Sequence, residues 1–436
     1  MSDERLARDE LPDLSGLIGV SRSGRVVGVT GTVVRAAVPD VRIGELCRIQ
    51  RGPGQIDLEA EVIGFNREEV LLMPFGRMES IASGAVVVPS AAVAKIAAGD
   101  AVRGRVLDAL GRPIDGRGEL CVHERVPMIA PSPDPLTRAR ITEALSTGVP
   151  AIDALLTVGV GQRVGIFAAA GVGKSTLLSM IARHVEADTV VLALIGERGR
   201  EVRGFLEDDL GPDGLANATV VVSTSDQSAL MRLKAAYTAT AIAEAARARG
   251  ERVVLMMDSV TRFARALREV GLAAGEPPGR QGYPASVFAT LPQLFERAGN
   301  DARGSITAFY TVLVEGDDMN EPVADETRSL LDGHIVLASK IQKRGRYPAI
   351  DVPASKSRLI RNLASKEHLA AAERVVKILE LYEVNYDKIT MGLYDPPAAE
   401  KALIDRHEDV LEFVYRGGAS APLATSVAEL VRGFRR

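Results

Sequence analysis

The chain has 436 residues, of which 46% are hydrophobic, 25% charged and 4% aromatic. This length and balance are typical of a globular protein with about two to four domains. The 53 basic and 57 acidic side chains give a net charge of −4, which argues against a dedicated nucleic-acid-binding protein. Two cysteines, Cys47 and Cys121, are too few for a zinc cluster, and we expect both to be reduced thiols in a cytosolic protein. No apolar run reaches the ~18 residues that a membrane-spanning helix needs.

The N-terminal part of the chain predicts a flexible segment followed by a β domain. Residues 1–20 mix both charges and lack the apolar stretch of a secretory signal, so we expect them to be flexible on their own. Residues 21–95 carry short valine-rich runs separated by glycine, such as VVGVTGTVVRAAV and SGAVVVPS. Closely spaced short strands with turn signals predict a small β-barrel domain.

The rest of the chain predicts an α/β domain and a helical domain. Over residues 96–365, apolar runs such as RVGIFAAA and RVVLMMD alternate with helical segments such as STLLSMIARHVE. Apolar strands bridged by helices are typical of a mostly parallel sheet with helices on both faces. Residues 366–436 carry helical patterns and almost no strand signal. The predicted fold class is therefore α/β, with an N-terminal β-barrel and a C-terminal helical domain.

The segment IFAAAGVGKSTLL, from Ile166 to Leu178, predicts a phosphate-binding loop between a strand and a helix. Glycines let backbone N–H groups point at a phosphate, and the helix N-terminus adds a partial positive charge. Lys174 would reach the β and γ phosphates, and the Ser175 hydroxyl would ligate Mg²⁺. Ala168 replaces the usual first glycine, which is tolerable at a strand's exit if φ stays negative. The predicted nucleotide-binding residues of this loop are Ala169, Ala170, Gly171, Val172, Gly173, Lys174, Ser175 and Thr176.

Polar residues follow two other apolar runs and predict the groups that hydrolysis needs. Glu197 and Arg198 end VVLALIGER, and Asp258 ends RVVLMMD, with Arg262 one turn later. In open α/β sheets, ligands gather at the carboxyl ends of the strands, so these residues are expected to converge on the loop. Asp258 is the expected Mg²⁺-side carboxylate. The alternative interpretation is that such residues only cap helices or form ion pairs.

Long segments of the chain resemble a known family. GRVLDALGRPIDG, AAAGVGKST, LIGERGREV, MMDSVTRFARALREVGLAAGEPP and RYPAIDVPASKSR occur in order between about residues 20 and 380. They resemble the ring ATPases related to the catalytic β subunit of rotary F-type ATP synthases. Within that family the chain is most similar to type III secretion ATPases of the injectisome type, close to the flagellar export ATPases. The resemblance implies a P-loop (RecA-like) core.

The resemblance also implies individual roles. Glu197 would polarise the attacking water, Arg198 would pair with the γ-phosphate, and Asp258 would hold the Mg²⁺-bound water shell. Three further positions match nucleotide contacts of the family: Arg262 for the phosphate pocket, Tyr347 near the adenine, and Arg358 as the arginine finger that a neighbouring subunit inserts. A finger stabilises the charge that builds up on the γ-phosphoryl group.

The function that the resemblance implies is ATP hydrolysis, with Mg²⁺, by a homohexameric ring that powers protein export. Expected partners are a central stalk, a regulator, chaperone–substrate complexes and, peripherally, the export gate of the inner membrane; nucleic acid is not expected. The expected location is the cytoplasm, at the cytoplasmic face of the inner membrane. Residues 275–284, GEPPGRQGYP, match the family's segment near the ring axis, where Arg280 and Gln281 would face the pore unless the segment is only a rigid turn.

Four alternatives to an injectisome ATPase follow from the same sequence. A flagellar export ATPase is the nearest alternative. A hexameric RNA translocase would need an N-terminal platform of aromatic and basic residues, but residues 1–100 contain only Phe65 and Phe75 as aromatics. A ring subunit without turnover is opposed by Glu197 and Arg358, and an ATP synthase subunit is opposed by the charged N-terminal segment. After about residue 380 the chain departs from the family pattern, so no family contact is transferred there.

Overall fold

The computed structural model describes residues 22–66, 68–90 and 94–435, without the side chain of Asp317. The chain forms two compact units, Met1–Val93 and Ala94–Arg436. The predicted flexible segment, residues 1–20, lies outside the described residues. The predicted limits at residues 95 and 365 stay predictions.

The first unit contains a closed six-stranded antiparallel barrel, in the order β1-β2-β5-β4-β3-β6. Its strands are β1 (Gly24–Thr30), β2 (Val33–Ala37), β3 (Leu46–Ile49), β4 (Leu58–Phe65), β5 (Val70–Pro74) and β6 (Val86–Pro89). Small aliphatic side chains fill the interior, with Val34, Ile49, Leu72 and Val87 fully buried. Closure removes the exposed strand edges that a six-stranded open sheet would leave. The predicted β-barrel is confirmed.

The second unit contains a nine-stranded sheet and a separate two-stranded ribbon. The ribbon pairs β7 (Lys95–Ala98) with β9 (Glu124–Pro127). The sheet runs β17-β16-β10-β15-β13-β11-β12-β8, with β14 paired to β15. Its strands are β8 (Val106–Asp108), β10 (Arg163–Ala168), β11 (Thr189–Glu197), β12 (Ala218–Thr224), β13 (Arg252–Asp258), β14 (Gly299–Asn300), β15 (Ser305–Leu313), β16 (Gly333–Leu337) and β17 (Lys356–Ser357). All pairs are parallel except those of β14 and β17, which confirms the predicted mostly parallel sheet.

Helices connect the strands and continue to the end of the chain. They are α1 (Pro150–Leu155), α2 (Lys174–His184), α3 (Gly199–Gly204), α4 (Gly211–Ala216), α5 (Ala229–Ala248), α6 (Val260–Ala273), α7 (Ala285–Phe295), α8 (Pro322–Leu330), α9 (Ser339–Gln342), α10 (Ile360–Leu363), α11 (Lys366–Val384), α12 (Tyr386–Thr390), α13 (Ala398–Ile404), α14 (His407–Val414) and α15 (Leu423–Phe434). A π-helical turn, Phe205–Leu210, joins α3 to α4. Serine caps begin three of the longest helices, because the Oγ atoms of Ser228, Ser259 and Ser365 accept from backbone N–H groups one turn later.

One hydrophobic core joins the sheet to the C-terminal helices. Ile166 of β10, Ile181 of α2, Val375 of α11 and Leu430 of α15 all belong to it and are fully buried. The predicted C-terminal helices are therefore confirmed, and they pack in the same compact unit as the sheet. In the part of the chain that the structure describes, no helix combines the length and the apolar character needed to cross a membrane.

The strand order sets the position of the polar residues. Strands β10, β15, β13 and β11 are neighbours and parallel, so their carboxyl ends lie at one edge of the sheet. The predicted phosphate loop follows β10, Asp258 ends β13, and Glu197 ends β11. Side chains that are far apart in sequence thus meet at one edge.

Candidate active site

The loop after β10 has the backbone that a phosphate site requires. Gly171 and Gly173 have φ values of 81° and 95°, in the left-handed region that favours glycine. Gly173 is also the N-cap of α2, so the N-terminus of this helix opens at the loop. Ala168 is a fully buried strand residue, paired with Leu313 and Leu337, and its φ is not positive. The missing first glycine therefore costs this loop nothing in backbone strain.

Three charged side chains meet beside this loop. The Lys174 ammonium group donates directly to Oδ1 of Asp258. Its Nζ also lies 3.7 Å from Oε1 of Glu197. All three side chains are largely buried, with 11% of Lys174, 19% of Glu197 and 4% of Asp258 exposed. The lysine and both carboxylates are thus collected within one water-poor cluster.

Thr311 is a member of this cluster that sequence reasoning missed. It lies on β15, between the strands that carry the loop and Asp258, and it is fully buried. Its hydroxyl lies 2.8 Å from Oδ1 of Asp258, to which it can donate, and 3.2 Å from the carbonyl of Met257. The signal in the sequence was weak, because the apolar run TAFYTVLV contains three hydroxyl-bearing side chains and threonine is common in strands for other reasons.

The surroundings of Glu197 shift its protonation. Burial raises the pKa of Glu197 above its ordinary value; the Lys174 charge lowers that pKa, and the Asp258 charge raises it further. A carboxylate whose pKa is raised by burial holds a proton more strongly than an exposed glutamate. Glu197 is therefore suited to accept a proton from water or to orient it.

Arg262 supplies a buried donor without a partner. Gly196, at φ 71°, lets the end of β11 pass close to this arginine, because a Cβ there would lie 3.2 Å from Cβ of Arg262. The Nε atom of Arg262 is buried and has no hydrogen-bond partner among the described residues. Buried N–H groups are nearly always paired, so an unpaired one indicates a missing partner. The Nε–H of Arg262 is therefore available to donate to a bound anion. The arrangement fits a bound phosphate group.

Tyr347 lines a cleft that extends from the loop. A side chain on Gly173 would lie 3.8 Å from Cε1 of Tyr347, and 39% of the tyrosine is exposed. The cleft has a volume of about 570 Å³ and reaches Pro348, Gly417 and Gly418. The Gly417 N–H donates to the Tyr347 carbonyl at 2.9 Å. Sequence reasoning missed the 417–418 segment, because its approach to the loop depends on how the last helices pack.

The two remaining predicted catalytic residues lie outside the cluster. Arg198 has 69% of its side chain exposed and pairs with Glu201 at 3.3 Å. Arg358 follows β17, where Ser357 pairs with Gly333 at the start of β16. The other end of β16, Leu337, pairs with Ala168 beside the loop. Arg358 therefore lies near the amino end of β16, whereas the phosphate loop lies near its carboxyl end. The two ends are four residues apart, or about 13 Å along the strand.

The predicted metal ligands, Ser175 and Asp258, lie in the first turn of α2 and at the end of β13. Within the described residues, no group of three or more His, Cys, Asp or Glu side chains could hold a metal by itself. Ser175 and Asp258 offer two oxygen ligands, which suits a Mg²⁺ ion whose other ligands are phosphate oxygens and water.

The predicted pore residues lie in the short turn Arg280–Gly282, after α6. Arg280 is exposed, and its guanidinium group lies 3.9 Å from the carboxylate of Asp325 on α8. Gln281 adopts a φ of 49° in the same short turn.

Two domain families and several named proteins match this chain in sequence. The nucleotide-binding domain of the ATP synthase alpha/beta family matches residues 148–357, and the beta-barrel domain of that family matches residues 26–90. The flagellum-specific ATP synthase of Bacillus subtilis (strain 168) is 48% identical over 94% of this chain and 94% of its own. The type 3 secretion system ATPase of Xanthomonas euvesicatoria is 48% identical over 92% of this chain and 91% of its own.

Solved structures give the same result for the three-dimensional fold. The assembled ATPase EscN from the type III secretion system of enteropathogenic E. coli is 43% identical, with a TM-score of 0.88, and the match covers 94% of this chain and 100% of that chain. EscN in complex with its central stalk EscO matches with a TM-score of 0.86 at the same identity and coverage. The chain belongs to the ATP synthase alpha/beta family, on the branch of the type III secretion and flagellum-specific ATPases.

Proposed function

We propose that this chain is an ATPase whose homohexameric ring powers protein export through a type III secretion apparatus, by releasing substrates from chaperones and unfolding them. The observation that carries the proposal is the cluster of Lys174, Glu197 and Asp258 beside a glycine loop at the start of α2. The reaction is the hydrolysis of ATP to ADP and phosphate.

Each residue of the cluster has a defined task in this proposal. The loop N–H groups and Lys174 bind the phosphates, and Arg262 Nε binds a phosphate oxygen. Glu197 orients water for in-line attack on the γ-phosphorus and takes its proton, while the bond to the β–γ bridging oxygen breaks. Mg²⁺, when bound with ATP, neutralises charge on the phosphates; Ser175 and Asp258 would hold it.

The position of Arg358 supports catalysis shared between subunits. This arginine cannot reach a phosphate in the loop of its own subunit, because the two lie at opposite ends of β16. One chain carries both the loop and the arginine, so each subunit of a closed ring would complete the site of a neighbour. Arg198 remains a proposed γ-phosphate contact, which would form when ATP binds. Its present ion pair with Glu201 is exposed to solvent and therefore weak enough to be exchanged.

The proposed partners follow from the relatives. EscN has been solved in an assembled form and with a central stalk, and we infer a hexamer and a stalk for this chain. A regulator, chaperone–substrate complexes and peripheral contact with the export gate at the cytoplasmic face of the inner membrane complete the proposal. Nucleic acid is not among the partners. We favour the injectisome because the segment FARALREVGLAAGEPP resembles that group, while the flagellar system is the second candidate, with a relative of equal identity.

Mixed rings test the ATPase proposal directly. Lys174→Ala disables the loop and Arg358→Ala disables the arginine, so each variant alone should lose nearly all turnover. Mixing the two should restore part of the activity, because some interfaces then combine an intact loop with an intact arginine. A mixture as inactive as its parts, with mixed rings demonstrated by mass spectrometry, contradicts sharing between subunits.

Export is tested in the cell of origin. Replacing the chromosomal copy with Glu197→Gln should stop secretion of injectisome substrates and leave swimming motility intact. Loss of motility with normal secretion instead assigns the chain to the flagellar system. Normal secretion and normal motility together contradict the export function.

A further inference from the structure

Gln162 lies directly before β10 and is fully buried. Its Oε1 accepts from the Gly159 N–H at 2.8 Å. Its Nε2 donates to the Asp332 carbonyl at 3.1 Å and lies 3.4 Å from the Ser357 Oγ atom. One amide group thus joins three segments of the chain near the amino ends of β10 and β16.

Two of these contacts fix the backbone from which Arg358 extends. The Asp332 carbonyl that accepts from Gln162 also accepts from the Arg358 N–H at 3.1 Å. Ser357, the residue before Arg358, donates through its hydroxyl to the Thr157 carbonyl at 2.9 Å. Gln162 therefore contacts the chain immediately before Arg358 and shares an acceptor with it.

The same position is joined to the phosphate loop. Strand β10 begins at Arg163, directly after Gln162, and leads into the loop after Ala168. Arg163 strengthens the connection, because its backbone N–H and its Nε both lie 3.1 Å from Oδ2 of Asp332. A buried strand of six residues, about 20 Å long, thus has the loop at one end and the support of Arg358 at the other.

We propose that Gln162 is a positioning residue for Arg358, tying the arginine that completes a neighbour's site to the strand that carries the subunit's own phosphate loop. This inference depends on the proposed action of Arg358 in the neighbouring site. Gln162 touches no nucleotide in this scheme. It holds the guanidinium group in the geometry that the neighbouring site needs, where a displacement of about 1 Å costs on the order of 100-fold in rate.

A double-mutant cycle tests the proposal. Gln162→Met keeps the length of the side chain and removes both its donor and its acceptor, and Ser357→Ala is a milder change on the same connection. We expect Gln162→Met to lower kcat about 10- to 100-fold and Ser357→Ala to lower it by less, with KM and the Kd for a non-hydrolysable ATP analogue unchanged. In combination with Arg358→Ala, neither change should reduce kcat further, because the arginine is already absent.

Other outcomes separate the two proposals. If both single variants keep wild-type kcat, or if their losses multiply with that of Arg358→Ala, Gln162 is structural and the inference is wrong. If Arg358→Ala itself keeps wild-type activity, the sharing of sites between subunits fails first. Ser357→Ala keeps the test decisive where Gln162→Met lowers the Tm so far that the ring does not assemble.

Discussion

Lys174 donates directly to the Asp258 carboxylate, so the two side chains hold each other in place. In the proposed mechanism, Lys174 would contact the phosphates and Asp258 would face Mg²⁺. In that mechanism, binding of ATP with Mg²⁺ would exchange this contact for contacts to phosphate and metal. Both ions are largely buried, and within the described residues removing Asp258 would leave Lys174 with only Glu197, at 3.7 Å. Removing Lys174 would leave Asp258 with only the Thr311 hydroxyl among those residues, at 2.8 Å.

Substitutions at this pair should separate binding from metal use. Lys174→Ala is expected to weaken nucleotide affinity and to lower turnover at least about 100-fold. Asp258→Asn should bind a fluorescent ATP analogue without Mg²⁺ about as well as wild type, and it should lose the gain in affinity that Mg²⁺ gives. Titrations with Mg²⁺ and with a chelator measure both effects. A wild-type response of Asp258→Asn to Mg²⁺ would place the metal on other ligands.

Glu197 should control the acid limb of the pH–rate profile. Burial raises the pKa of Glu197 above 4.5, so the ionised form that accepts a proton is lost at a higher pH than for an exposed glutamate. We expect kcat/KM for ATP to fall, as the pH is lowered, through a pKa above 4.5. Glu197→Gln should lower kcat about 100- to 10,000-fold, leave analogue binding intact and abolish that limb. The same acid limb in the residual activity of Glu197→Gln would assign it to another group.

Thr311 should matter for catalysis more than its place in a strand suggests. Thr311→Val keeps the shape of the side chain and removes the hydroxyl beside Asp258. We expect a loss of about 3- to 10-fold in kcat/KM, equivalent to the roughly 1 kcal/mol of one hydrogen bond. Thr240→Val is the matched control, because that threonine is equally buried and donates to the Ala236 carbonyl within α5. Equal losses of activity in both variants would reduce the effect to general destabilisation.

Asp153 should make stability depend on pH. Burial raises the pKa of Asp153 to about 6, although Thr147 and Gly148 donate hydrogen bonds to it. Its folded pKa exceeds the value of 3.8 for an unperturbed carboxyl, so its stabilising contribution is complete below about pH 3.8 and is lost as the pH rises through 6. The loss corresponds to about 3 kcal/mol.

Denaturant titrations at several pH values measure this effect. Between pH 4.5 and 7.5, the free energy of unfolding of Asp153→Asn should increase relative to that of wild type as the pH increases. Asp213→Asn, at an exposed position, should show no such trend. A constant difference between Asp153→Asn and wild type would contradict the raised pKa.

The sequence predicted the architecture and most of the cluster because both depend on local patterns. Continuous apolar runs define buried parallel strands, and a polar residue at the end of such a run points to the carboxyl edge of the sheet. Glu197 and Asp258 follow this rule, and Lys174 follows from the glycine loop. The role of Arg358 came from resemblance alone, since nothing near SKSR indicates an edge of the sheet.

Residues whose place depends on tertiary packing were not predictable in this way. Thr311 looks like any strand threonine until the strand order puts it beside Asp258. Gln162 lies in a turn, and its three contacts come from segments up to 195 positions distant in the chain. Gly417 reaches Tyr347 only because α14 and α15 pack in the core of the sheet.

The hydrogen bond from Gly417 to Tyr347 has a consequence for how shortened forms of this protein should be interpreted. Residues 419–436, the last 18 of the chain, follow the segment Gly417–Gly418 that closes one wall of the cleft. A protein cut before that segment would hold its nucleotide in a trough that is open on one side. Loss of export after such a truncation would therefore indicate an incomplete nucleotide-binding cleft as readily as the loss of a surface that binds a partner protein.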